Sequence, residues 1–126
     1  MKMLLPLFVF FSSISLQAAN FSDISVDDLE KAISSKKVAV IDVNGPKSFQ
    51  NGRIPGAIDF SKNQKNLKNL LPEDKSTLVV AYCGGPACRA YLRGAQAASE
   101  LGYTNVRHLS AGISGWKKAG KKVEKN

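Results

Sequence analysis

One histidine, one tryptophan and two cysteines are all that 126 residues contain of these types, and each scarcity narrows the chemistry open to the chain. His108, Cys83 and Cys88 together fall short of the four ligands of a structural zinc site, so no metal site and no organic cofactor are expected. A lone histidine on a strand is more often packed or hydrogen-bonded than catalytic, and His108 is read that way. Acidic residues are also few: 10 Asp and Glu against 18 Lys and Arg leave a formal charge of +8. That balance suits anionic partners in general. Lysines 117, 118, 121, 122 and 125 cluster near the C-terminus, but no aromatic residue follows Trp116 and no nucleic-acid motif accompanies them. Residues 119–126 therefore read as a solvated, fraying basic tail, and no nucleic-acid partner is expected.

Long hydrophobic runs are missing as well. The apolar stretch from Met3 to Phe11 is interrupted by Ser12, Ser13 and Ser15, well short of the roughly 20 residues that cross a bilayer. With Lys2 ahead of it and Ala18-Ala19 behind it, the stretch reads as a secretory signal over residues 1–19, cleaved after Ala18 or Ala19. The expectation is a periplasmic or secreted protein, with residues 20–126 forming one domain and no stable membrane insertion after cleavage.

What is present is an alternation of strand and helix patterns. Ser25 precedes Val26-Asp27-Asp28-Leu29, a capped helix start that runs to about Ser34. Val38 to Val43 and Thr77 to Tyr82 are continuous apolar runs, the signature of strands covered on both faces. Lys47 to Asn51 fits a helical turn, Arg53 to Phe60 a turn leading into a short strand, and Asn63 to Leu71 a helix with Leu67, Leu70 and Leu71 on one face. Arg89 to Leu101 is an alanine-rich helix ended by Gly102; Val106 to Leu109 is a further strand, and Ile113 to Lys118 a last helix. Such alternation predicts a small, mostly parallel α/β sheet with helices on both faces. Trp116 is expected to anchor the last helix to the core, and Asp42 to organise a loop by accepting backbone hydrogen bonds.

The most informative segment is Val79-Val80-Ala81-Tyr82-Cys83-Gly84-Gly85-Pro86-Ala87-Cys88-Arg89. An apolar strand ends on a cysteine, a glycine-rich loop follows, and a helix begins. Backbone N–H groups in such a loop carry partial positive charge, lower a thiol pKa and hold an anion. Gly84, Gly85, Ala87, Cys88 and Arg89 can donate amides; Pro86 cannot. Arg89 adds a guanidinium suited to an oxyanion. A Cys83–Cys88 disulfide would close so short a loop that it stabilises by only about 2 kcal/mol, a weak structural reason that gives a redox or catalytic one more weight than usual; Cys88 reads equally as a resolving thiol and as a packing residue or static disulfide partner.

Several motifs in order, VIDV, GRIPGAI, VVAYC, AASELGYTNVRHL and LSAGISGW, make residues 22–119 resemble the single-domain rhodaneses. The resemblance implies a rhodanese-like α/β fold in which Cys83 takes a sulfane sulfur from thiosulfate or a polysulfide as a persulfide and passes it to a thiol or cyanide. Cys88 would resolve that persulfide to a disulfide, calling for a thiol-reductase partner. The loop is longer than in ordinary rhodaneses, Asn44 stands where relatives often carry arginine, and Arg53 where they often carry histidine. Two alternatives stay open on the residues alone. Cys83-x5-Arg89 also fits a phosphatase or arsenate reductase loop, and the cysteine pair fits a non-enzymatic sulfur-carrier or redox-sensing dithiol module.

Overall fold

β-branched and aromatic residues dominate Val38–Asp42 (β2) and Leu78–Tyr82 (β4), and these two strands form the centre of the sheet. The computed structural model describes residues 20–126; the signal segment read at residues 1–19 lies outside the described residues. Ser22–Asp23 (β1), Ile58–Asp59 (β3) and Val106–Leu109 (β5) complete five strands in the order β1-β5-β4-β2-β3. Every strand pair is parallel, with Val40 beside Val80 and Ala81 beside His108.

Side chains alternate across β4, so each face builds its own core. Val79, Ala81 and Cys83 lie on the face covered by Tyr91–Glu100 (α5), whose Ala95 and Ala98 are fully buried. Val80 and Tyr82 lie on the opposite face, packed with Leu29 of Val26–Ser34 (α1) and with Ile113 and Trp116 of Gly112–Lys118 (α6). Burial of each such aliphatic side chain contributes about 1.5 to 3 kcal/mol. Small residues set the spacing of α5. A Cβ on Gly94 would lie 2.9 Å from Val43 Cγ1 and 3.0 Å from Ile41 Cγ2, so the helix rests directly on β2.

The expected rhodanese-like architecture, a small parallel sheet with helices on both faces, is the observed one. Ser25 caps α1 by accepting the Asp28 N–H at 3.1 Å, and Pro46–Asn51 (α2) replaces the expected turn with a short helix begun by proline. Three details differ. The helix expected over residues 63–71 is broken into Phe60–Asn63 (α3), a 3₁₀ turn at Gln64–Asn66, and Leu67–Leu70 (α4). Asp59 caps α3 three residues earlier through the Ser61 N–H at 3.1 Å, and the Asn63 amide bonds the Asp59 carbonyl at 2.8 Å. Leu70 is accordingly 44 % exposed, whereas Leu67 and Leu71 are buried.

The second difference is β1, which has too little apolar pattern to be read from sequence. Its Asp23 carboxylate instead takes the Ser110 N–H and O–H, each at 2.8 Å, tying it to the end of β5. The third is the C-terminal tail, which does not fray. Glu124 and Arg53 exchange backbone hydrogen bonds at 2.9 and 3.0 Å. Lys121 meets Glu30 at 3.0 Å and Asp27 at 3.1 Å, and the Trp116 indole N–H reaches the Lys122 carbonyl at 2.8 Å.

Candidate active site

β4 ends at Tyr82, and the next residue, Cys83, is 2 % exposed with its side chain in the α5-side core. The loop that follows is held by its carbonyls. Cys83 C=O accepts the Ile113 N–H at 2.9 Å and Gly84 C=O accepts the Ser114 N–H at 3.0 Å. These donors belong to the first turn of α6, whose orphan N–H groups are thereby satisfied. Contact is so close that Gly112, at φ 62°, has no room for a side chain: a Cβ there would lie 2.5 Å from Gly85 N and 2.7 Å from Cys83 O.

With the loop carbonyls directed into α6, several amides are left over. The N–H groups of Gly84, Gly85, Ala87 and Arg89 have no acceptor among the described residues. Cys88 differs from expectation here: its N–H donates to Gly85 C=O at 3.0 Å, closing a turn, so it is not one of the free donors. The structure also joins Cys83 to Cys88 in a disulfide with Cα atoms 6.2 Å apart. Cys88 is half-buried and lies between exposed Ala87 and Arg89.

Arg89 lines a cavity of about 360 Å³ together with Tyr91, Gln96 and His108. His108 stacks on Tyr91 with ring centroids 4.3 Å apart and planes 11° from parallel, in keeping with a packed histidine. Its Nδ1 is buried with no partner among the described residues. A larger cavity of about 470 Å³, around Ser99, Tyr103 and Arg107, involves the start of β5 and not the cysteine loop.

Beneath the loop, Asp42 is 1 % exposed and accepts the Asn44 N–H at 2.8 Å and the Tyr82 O–H. Tyr82 in turn accepts the Ile54 N–H at 3.1 Å. Burial pushes the Asp42 carboxyl above its ordinary range, although the hydrogen bonds from Tyr82 and Asn44 oppose the shift. Burial and the neighbouring Asp42 charge push the Tyr82 phenol up as well, so it stays protonated. This network fixes the turn that carries Asn44, and the Asn44 carboxamide is next to Gly84. Arg53 is turned to other work. It stacks over Phe49 at 4.3 Å and pairs with Glu124 at 3.6 Å.

A strand-end cysteine in a loop rich in unpaired amides, at the C-terminal end of a parallel sheet, invites comparison with known proteins. The profile of the Rhodanese-like domain matches residues 25–119. The chain belongs to the rhodanese-like family. It is 33% identical over 104 residues to "Thiosulfate sulfurtransferase GlpE" of Shewanella oneidensis, an alignment covering 80% of this chain and 97% of that protein. Among solved structures, this rhodanese-like chain matches a rhodanese-related protein of Thermoplasma volcanium at 24% identity with a TM-score of 0.63, covering 82% of this chain and 98% of that one. The 3-mercaptopyruvate sulfotransferase SseA of Escherichia coli superposes with a TM-score of 0.67 at 18% identity, covering 85% of this chain and 51% of that one.

Of the residues that the sequence sets in one loop, the structure joins Cys83 to Cys88, whereas Arg89 lines a cavity with Tyr91, Gln96 and His108 that neither cysteine lines. Sequence reasoning missed the residues that hold the loop of this rhodanese-like domain in place, Gly112, Ile113 and Ser114. Their signal was in view in the LSAGISGW motif, but nothing in the sequence says which backbone that glycine touches.

Proposed function

We propose that the domain is a sulfurtransferase that moves a sulfane sulfur from thiosulfate or a polysulfide, through a persulfide on Cys83, to a thiol or cyanide. The observation that carries this reading is a strand-end cysteine followed by four N–H groups without acceptors among the described residues, in a chain of the rhodanese-like family. With the disulfide reduced, the Cys83 thiolate attacks the outer sulfur of thiosulfate, the donor S–S bond breaks, and sulfite leaves with the electron pair. The amides of Gly84, Gly85, Ala87 and Arg89 stabilise the resulting persulfide anion, and the Arg89 guanidinium receives the sulfonate end of the donor. An acceptor thiolate or cyanide then takes the outer sulfur and restores the Cys83 thiolate.

Cys88 supplies a second exit. Its thiolate attacks the inner sulfur of the persulfide, hydrosulfide leaves, and the Cys83–Cys88 disulfide forms. A thiol reductase returns the pair to the reduced state. With residues 1–19 read as a secretory signal, the cycle would run in the periplasm or the extracellular space.

Thiocyanate formation from thiosulfate and cyanide, measured on pre-reduced protein, tests the reading. Cys83→Ser is expected to lower that rate by at least about a thousandfold, and Cys88→Ser to leave the first transfer intact. Hydrolysis of p-nitrophenyl phosphate without thiocyanate formation would instead place the protein among Cys-x5-Arg phosphatases.

A further inference from the structure

The two sulfurs of the loop disulfide are not equivalent, and their difference points to an activity beyond sulfur transfer. Cys83 is 2 % exposed, fixed at the end of a buried strand, with its carbonyl hydrogen-bonded into α6. Cys88 is half-buried, lies in a segment without helix or strand, and keeps one turn hydrogen bond, to Gly85. An incoming thiolate needs access to a sulfur from outside, and of the two bonded residues Cys88 is the less buried. The departing sulfur, Cys83, sits in the α5-side core, and the residues after it, Gly84 and Gly85, carry amides with no acceptor among the described residues. Which sulfur is attacked depends on access, and access here favours Cys88.

We infer that the loop disulfide is itself an oxidant in thiol–disulfide exchange, entered at Cys88, with thiols bearing negative charge as the species it oxidises. A thiolate RS⁻ attacks the Cys88 sulfur, the Cys83–Cys88 bond breaks, an R–S–S–Cys88 bond forms, and the electron pair leaves on Cys83. A second RS⁻ attacks the sulfur of the bound R group, releasing RSSR and the Cys88 thiolate, which takes a proton from water. Two thiols are thereby oxidised and one disulfide is reduced. Exposed Arg89, next to Cys88 in the chain, favours thiols that carry carboxylates. The inference shares the anionic Cys83 of the sulfur-transfer reading and needs no sulfane sulfur.

Oxidised full-length protein is mixed with reduced glutathione, quenched with acid within seconds, and digested, and fragmentation between residues 84 and 87 locates the mixed disulfide. Glutathione is expected on Cys88 in at least about tenfold excess over Cys83. Arg89→Ala is expected to slow exchange with glutathione more than with neutral 2-mercaptoethanol. Glutathione mainly on Cys83, equal labelling of both, or a disulfide that exchanges only after unfolding in guanidinium would each overturn the inference. Persulfide formation on the reduced protein is measured separately with thiosulfate, so failure of sulfur transfer and failure of exchange are told apart.

Discussion

At the residue scale, the buried Asp42 carries both a structural duty and a pH signature. It receives the Tyr82 O–H and the Asn44 N–H, and through Tyr82 it links β2 to the turn at Ile54. Because burial holds its carboxyl above the ordinary value, the folded state binds the Asp42 proton more tightly than the unfolded chain does. Stability from this group is therefore fully present below the unfolded carboxylate range and is lost as pH rises through the folded value. Wild-type protein is expected to lose stability relative to Asp42→Asn as pH climbs from acid toward neutral, read by denaturant unfolding at a series of pH values. A difference that grows in favour of wild type over that climb would refute the assignment. Asp23 has the opposite sign. Burial disfavours its charge, but the Ser110 N–H and O–H outweigh that and hold its carboxyl below the ordinary range, so its contribution is lost as pH falls.

At the element scale, the loop after β4 owes its shape to α6, a helix that follows it by more than twenty residues in the chain. Gly112→Ala puts a Cβ against Gly85 N and forces a φ of 62° on a residue with a side chain. The expected loss is about 1 to 3 kcal/mol in denaturant unfolding, together with faster alkylation of reduced Cys83 as the loop lifts from α6. Unchanged stability and unchanged alkylation would show that the contact has no such role. β2, β4, α5 and the cysteine loop were legible because their information is local: apolar runs, alanine content, and glycines beside a cysteine. β1 was not, since two polar residues become a strand only by pairing with β5. Nor was the break at Gln64–Asn66, where asparagine and aspartate side chains compete with the helix backbone in a way that leucine spacing does not reveal.

At the scale of the whole molecule, the basic C-terminal residues close the structure. Trp116, 2 % exposed, joins the α1/α6 core and bonds the Lys122 carbonyl, while Lys121 and Glu124 reach α1 and Arg53. The Lys121–Glu30 and Arg53–Glu124 contacts join residues far apart in sequence, which is why composition alone suggested a free tail. Trp116→Phe removes the indole N–H and part of the packed volume. A loss of about 1 to 3 kcal/mol is expected, with hydrogen exchange accelerating at residues 121–124 and little change at β4. Exchange that is equally fast in wild type would return the tail to the solvated state expected from its charge.

The parallel sheet and α5 enclose the Cys83 side chain while α6 holds its carbonyl, and intact mass reads the Cys83 sulfur most directly. Pre-reduced protein exposed to thiosulfate and then freed of it is expected to gain the mass of one sulfur atom, in wild type and in Cys88→Ser but not in Cys83→Ser. An unchanged wild-type mass, or an equal gain in Cys83→Ser, would contradict the account.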